Sequence, residues 1–172
     1  MDSSIECRFC TNGKRNMLDI DLDATDIRIL SELQRDGSLT NVELASRVNL
    51  SPSPCLARVK QLEKSGVIAR KVTLLDARRL GLKVVVFISI SLDKQRRETL
   101  DEFERRIGAL PQVMECYLMS GDADYLLRVV VPDVDSLERL IIDQITRIPG
   151  VASIRSSFAL KQVLYSTALP LG

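Results

Sequence analysis

The stretch from Thr40 to Gly66 leaves the chain little choice of local structure. Thr40 followed three residues later by Glu43 is a capping box, in which each residue satisfies a backbone N–H of the other's end, so a helix starts here. Val42, Leu44, Ala45 and Val48 give that helix a short buried face. Asn49 tolerates left-handed backbone and suits the exit from a helix. Ser51 is then expected to cap a second helix, with Pro52 at the first helical position, where a missing N–H costs nothing, and Pro54 in the same turn. Leu56, Val59 and Leu62 recur every three residues and are expected to point inward, which leaves Arg58, Lys60, Gln61 and Lys64 mostly outside. Two short helices joined by a tight turn, the second with a polar and basic outer face, describe a helix-turn-helix.

The full chain has 172 residues, enough for one large domain or two small ones, and 45% of them are hydrophobic. A net charge of +1 does not by itself announce a nucleic-acid partner, but the distribution does. Between Ser53 and Arg79 stand Arg58, Lys60, Lys64, Arg70, Lys71, Arg78 and Arg79 against Glu63 and Asp76, a local positive excess of the kind that meets phosphate. No apolar run is long enough to span a bilayer, and the N-terminus lacks the apolar core of a secretory signal. A cytoplasmic protein with no membrane partner is expected. Cys7 and Cys10 have a spacing compatible with a metal or a redox pair, but no second pair follows and the chain has no histidine. Two reduced thiols in a loose tail is the reading preferred here, since a structural zinc needs about four ligands. No metal and no cofactor is expected. The lack of histidine also removes the commonest general base.

Taken in order, residues 1–21 form a flexible extension without periodicity. Residues 22–66 form the helical unit: Asp23 caps its first helix, with Asp26 three residues on, Ile27, Leu30 and Leu33 inside, and Gly37 at its end. Residues 67–83 are a connector, a β-rich wing or strand from Val67 to Leu75 and then a hinge through Gly81. Residues 84–172 form a second domain. Val84 to Leu92 is a strand, Gln95 to Ala109 a helix with Leu100, Phe103 and Ile107 on one face, Val113 to Ser120 and Tyr125 to Val131 two further strands, Asp133 to Ile148 a helix, and Val151 to Tyr165 the last strand region. The order β-α-β-β-α-β is ferredoxin-like. Leu110-Pro111-Gln112-Val113 and Ile148-Pro149-Gly150-Val151 occupy matching joints of its two halves. The fold class is therefore α+β: a winged-helix-like helix-turn-helix followed by a ferredoxin-like domain. The strands are read as apolar on both sides, with Val84, Val86 and Ile88 one way and Val85, Phe87 and Ile90 near the other. The sheet face without helices then needs a partner, most simply a second copy of the chain.

With both halves placed, the chain resembles the Lrp/AsnC, or feast/famine, family of transcription regulators over about Leu22 to Leu171. The resemblance rests on Leu22-Asp23-x-x-Asp26, Asn41-Val42-Glu43-Leu44-Ala45, Leu50-Ser51-Pro52-Ser53-Pro54-Cys55 with Arg58-Val59-Lys60-x-Leu62-Glu63, and Gly121-Asp122-x-Asp124-Tyr125-Leu126-Leu127. Ser156 to Val163 and Thr167 to Leu171 are similar to the subgroup that regulates amino-acid catabolism. The resemblance implies a DNA-binding N-terminal half and a C-terminal half that dimerises and senses amino acids, with dimers assembling to octamers around an effector. Leucine, isoleucine or valine is the expected effector.

The DNA-binding residues expected on this basis are Thr40, Asn41, Ser51, Ser53, Pro54, Arg58, Lys60, Gln61 and Lys64. Early positions of the recognition helix usually meet base edges, which favours Ser53, Pro54 and Arg58, the arginine as a bidentate partner of guanine. Thr40, Asn41 and Lys64 suit phosphate. Cys55 is expected to pack under the turn as a small apolar group, and Cys116 to be inert. Gly121 to Tyr125 is open to three readings: a plain hairpin turn, an amino-acid site, or a divalent-metal site with Asp-x-Asp spacing. The resemblance favours the amino-acid site, with Met119, Ser120, Gly121, Asp122, Asp124 and Tyr125 in it and Ser156 and Ser157 lining the same pocket. An enzyme is not expected, because no nucleophile–base pair or phosphate loop accompanies Asp122 and Asp124. A sensing module that controls a partner enzyme is the alternative; it leaves the helix-turn-helix idle.

Overall fold

The computed structural model describes residues 21–93 and 96–171, and in them the chain builds two separate cores. The extension through Met17, with Cys7 and Cys10, and the expected helix start at Gln95 lie outside the described residues. One unit comprises residues 21–74 together with 163–171; the other comprises residues 75–162.

The first unit holds three helices, α1 (Ala24–Arg35), α2 (Asn41–Arg47) and α3 (Pro52–Ser65). Both expected capping boxes form. Asp23 Oδ1 accepts the N–H groups of Thr25 and Asp26 at 2.8 Å, and Asp26 Oδ2 accepts the Asp23 N–H at 3.3 Å. Thr40 and Glu43 make the same reciprocal pair at the start of α2. Asn49 leaves α2 at φ 58°, and Gly66 ends α3 at φ 82°. Ile29, Leu30, Leu44, Ala45, Val48, Cys55, Val59 and Leu62 make the core. Two inward expectations are corrected. Val42 is 65% exposed, and on α3 the buried stripe is Cys55, Val59 and Leu62, with Leu56 turned out. Spacings of four and three follow the 3.6-residue turn, whereas a strict repeat of three drifts off one face.

After Gly66 the residues from Val67 to Leu75 pair in no ladder among the described residues, so neither the expected wing nor a connector strand is formed there as a strand. Residues 163–171, assigned by sequence to the second domain, pack here instead. Leu171 joins the helical core, and the Gln34 amide brackets Leu169, accepting its N–H at 2.6 Å and donating to its carbonyl at 3.2 Å.

The second unit is an antiparallel sheet in the order β2-β3-β1-β4, with β1 (Val84–Leu92), β2 (Val113–Leu118), β3 (Tyr125–Val131) and β4 (Val151–Phe158). Helices α4 (Arg97–Gly108) and α5 (Val134–Arg139) cover one side. Val86, Ile88, Ile90, Leu127 and Val129 face them and meet Phe103, Ile107, Leu137 and Leu140. Each fully buried side chain of this size contributes roughly 1.5–3 kcal/mol. The two matching joints carry equivalent bonds: Val113 N–H to the Leu110 carbonyl at 3.0 Å, and Val151 N–H to the Ile148 carbonyl at 3.3 Å. The second helix does not stay α-helical. From Leu140 to Ile145 it becomes a π-helix, which keeps Leu140 and Ile145, five residues apart, both against the sheet.

Ile90 belongs to the helix-covered side, with none of its surface exposed. The open side of the sheet is therefore less apolar than expected. Beside Val85, Phe87, Leu126, Val130 and Tyr117 it carries Ser89, Ser91, Arg155 and the ion pair of Arg128 with Glu115 at 2.6 Å.

Candidate functional site

The outward face of α3 follows from its buried one. At 3.6 residues per turn, Ser53, Ala57, Lys60 and Lys64 fall opposite the stripe of Cys55, Val59 and Leu62, with Gln61 beside them, whereas Arg58 falls on the flank, about 70° from the stripe. Ser51, Ser53, Lys60, Gln61 and Lys64 make no side-chain hydrogen bond or ion pair among the described residues. Pro52 and Pro54 stiffen the exposed first turn. Ala57 was missed by composition-led reading, which looks for polar groups. Its spacing of four from Ser53 is the signal that places it in this row.

The remaining expected DNA contacts are already engaged. The Thr40 hydroxyl donates to Glu43 Oε2 at 2.7 Å and accepts the Glu43 N–H. Asn41 donates from Nδ2 to the Pro52 carbonyl at 2.8 Å, tying the start of α2 to the start of α3. Arg58 was expected to reach out to a base edge. Its Nη1 instead lies 2.6 Å from Asp23 Oδ2 and 2.9 Å from Asp26 Oδ1, so it turns back onto the head of α1. The Asp26 backbone N–H and then the Arg58 guanidinium hold the Asp23 carboxyl below its ordinary range, and the two carboxylates in turn raise the guanidinium. Cys55 is fully buried, and the loss of water pushes its thiol up, as suits a packing group rather than a redox one.

In the second unit the loop between β2 and β3 is tied to the end of β1. Asp124 Oδ2 accepts the Leu92 N–H at 2.7 Å, its own N–H donates to the Ile90 carbonyl at 2.9 Å, and its carbonyl accepts the Met119 N–H at 2.8 Å. Gly121 sits at φ 148° in open space. Met119, Ser120, Gly121 and Asp122 are exposed. The two aspartates are thus divided, Asp122 toward solvent and Asp124 toward the backbone, and among the described residues no group of three or more Cys, Asp or Glu side chains gathers to hold a metal.

Tyr125 does not line this loop. It is buried, its ring lies 4.5 Å from that of Phe103, and its hydroxyl donates to Glu104 Oε1 at 2.8 Å. Burial, and then the Glu104 carboxylate, raise its pKa well above the ordinary phenol range. Ser156 and Ser157 do not share one pocket. Ser156 lies opposite Ile88 on the helix side and Ser157 opposite Phe87 on the open side. With β1 between β3 and β4, both stand about two strand spacings, roughly 10 Å, from β3.

Comparison with known proteins agrees with both halves. Residues 22–69 match a winged helix-turn-helix DNA-binding family, and residues 85–169 match the Lrp/AsnC ligand-binding domain. The Bkd operon transcriptional regulator of Pseudomonas aeruginosa is 46% identical over 151 residues, covering 88% of this chain and 99% of that protein. The leucine-responsive regulatory protein of Escherichia coli K12 is 40% identical over 87% of this chain and 91% of that one. A transcriptional regulator of Neisseria meningitidis, solved with L-Met, superposes with a TM-score of 0.83 at 39% identity, over 87% of this chain and 96% of that one. These relatives are regulators of transcription rather than enzymes. With its helix-turn-helix in one unit and its ligand-binding fold in the other, the chain belongs to the Lrp/AsnC family of DNA-binding transcription regulators.

Proposed function

We propose that the protein binds specific duplex sequences in the cytoplasm, regulates genes of amino-acid metabolism, and changes its DNA affinity when a small amino acid binds. The row of unspent donors on α3 carries this reading. Ser51, Ser53, Pro54, Ala57, Lys60, Gln61 and Lys64 meet the duplex, Ala57 as an apolar neighbour for a thymine methyl and Lys64 as a phosphate partner. Thr40 and Asn41 hold the frame.

The effector site is the loop from Met119 to Asp124. Asp122, exposed and turned away from the backbone, pairs with the ligand ammonium, while Asp124 keeps the loop seated on β1. A charged head group at such a site is stable only when it is paired and hydrogen-bonded. Leucine, isoleucine and valine are the first candidates. The name of the leucine-responsive relative favours leucine and its branched-chain kin, and the L-Met bound to the Neisseria meningitidis regulator adds methionine. Two copies pair through the open sheet side around Phe87, and dimers associate further toward an octamer with the loop between them. A ligand held there couples affinity and assembly reciprocally.

Operator affinity is measured with and without saturating leucine, isoleucine, valine, methionine and serine, for wild type, Asp122→Asn and Asp124→Asn. Wild type responds to an apolar amino acid. Asp122→Asn loses that response and keeps its ligand-free affinity, and Asp124→Asn, which retains an oxygen for the Leu92 N–H, keeps both. A wild type that answers to no amino acid ends the effector reading.

A further inference from the structure

Arg58 is the one base of α3 that turns inward, and its two partners are the carboxylates that start α1. Asp23 and Asp26 already serve the capping box, each holding a backbone N–H of the other's end. The guanidinium joins them to a helix 32 to 35 residues further on. The head of α1 and the flank of α3 are thus one cluster of charge-assisted hydrogen bonds, the strong class of hydrogen bond. At the opposite edge Asn41 ties α2 to the carbonyl of Pro52 in the first turn of α3. Most of the contacts proposed for α3 lie in one short row, Ser53, Ala57, Lys60 and Lys64, so a small rotation of the helix moves them together.

We propose that Arg58 is a positioning residue: by spanning Asp23 and Asp26 it sets the angle at which the first turn of α3 enters the major groove, and it touches no base. The proposal rests on the DNA reading above. It has a consequence opposite in sign to that of a contact role. Removing the two aspartate charges ought to help a protein bind a polyanion and would free the arginine to reach it. If Arg58 acts by holding α3, their removal harms recognition instead.

The full-length protein is used. Wild type selects a duplex from a random pool. Wild type, Arg58→Ala, Arg58→Lys, the double variant Asp23→Asn/Asp26→Asn and the triple variant that adds Arg58→Ala to it are then titrated onto the selected duplex and a scrambled one over a series of KCl concentrations. Asparagine caps a helix about as well as aspartate, so the double variant keeps α1 even where Arg58→Ala fails to fold. The double variant should lose roughly tenfold in affinity for the selected duplex while scrambled binding stays level or rises, and adding Arg58→Ala to it should cost little more, as expected of groups acting as a unit. Arg58→Lys keeps one charged nitrogen with three donors, as the single Nη1 that meets both carboxylates does, but on a shorter stem, and should fall between wild type and Arg58→Ala. The slope of log affinity against log salt should not change in Arg58→Ala, whereas loss of a phosphate contact lowers it by about 0.9.

The proposal is overturned by a double variant that binds the selected duplex as tightly as wild type or tighter. It is overturned equally by a shallower salt slope in Arg58→Ala, or by relaxed preference in that variant confined to a single base pair. A wild type that selects no sequence overturns the DNA reading itself, and with it this proposal, and is recognised before any variant is made.

Discussion

Single side chains in this protein divide by whether their polar atoms are already spent. Tyr125 illustrates the spent kind. Its phenol sits under α4, its hydroxyl on Glu104 and its ring against Phe103. Tyr125→Phe keeps the packing and removes a hydrogen bond to a charged group, which costs about 1.5–3 kcal/mol. Chemical unfolding should show that loss, and a Glu104→Gln variant should make the tyrosine substitution cheaper. Full cost on both backgrounds would mean that the charge of Glu104 adds nothing to the bond. The same division explains Arg58. Once the buried stripe of α3 is read as Cys55, Val59 and Leu62 in place of Leu56, Val59 and Leu62, Arg58 lies at the stripe's edge and Lys60 and Lys64 lie opposite it. With Leu56 taken into the stripe, the sequence put Arg58 on the outer face and missed this flank. The two aspartates waiting there were not legible either, because no local pattern links Asp23 to a residue 35 positions away.

Elements whose rules are local were the most legible. The capping box of Thr40 and Glu43 placed the start of α2 to the residue, and β-branched runs placed both ends of β1 and β3. Elements that depend on distant partners were not. Val67 to Leu75 has strand composition but finds no ladder among the described residues, and Ser156 and Ser157, neighbours in sequence, face opposite sides because a strand alternates. The π-helical turn has no composition signal either, since it arises from the fit of Leu140 and Ile145 to the sheet. Glycine positions test the element scale. Gly66 at φ 82° has open space around it, so Gly66→Ala costs about 1–2 kcal/mol of left-handed backbone strain alone. Gly150 at φ 88° adds a collision, because a Cβ there would stand 2.6 Å from Thr99 Cγ2. Gly150→Ala should therefore lower the unfolding temperature more than Gly66→Ala, and Thr99→Ser, which removes that methyl, should recover part of the difference. Equal losses at the two glycines would remove the collision from the account.

At the scale of the whole molecule, the helical unit is assembled from two separated pieces of chain. Leu171 fills its core and Leu169 is bracketed by Gln34. A chain shortened after Gln162 should show faster amide hydrogen exchange in α1 and unchanged exchange in β1 and β3, because only the first unit loses contacts. Exchange quickened equally in both units would mean that residues 163–171 support the fold as a whole. Gln34→Ala should reproduce a smaller part of the effect.

The bracket around Leu169 also has a consequence for synthesis. Translation delivers residues 21–74 first, then the whole of the sheet unit, and only then the segment that completes the helical unit. On the ribosome, α1 to α3 exist for a time without Leu169 and Leu171, while every strand of the sheet has already been made. The helical unit is begun before the sheet unit and completed after it, so every residue of the sheet unit is synthesised in the interval between the two pieces of the helical one.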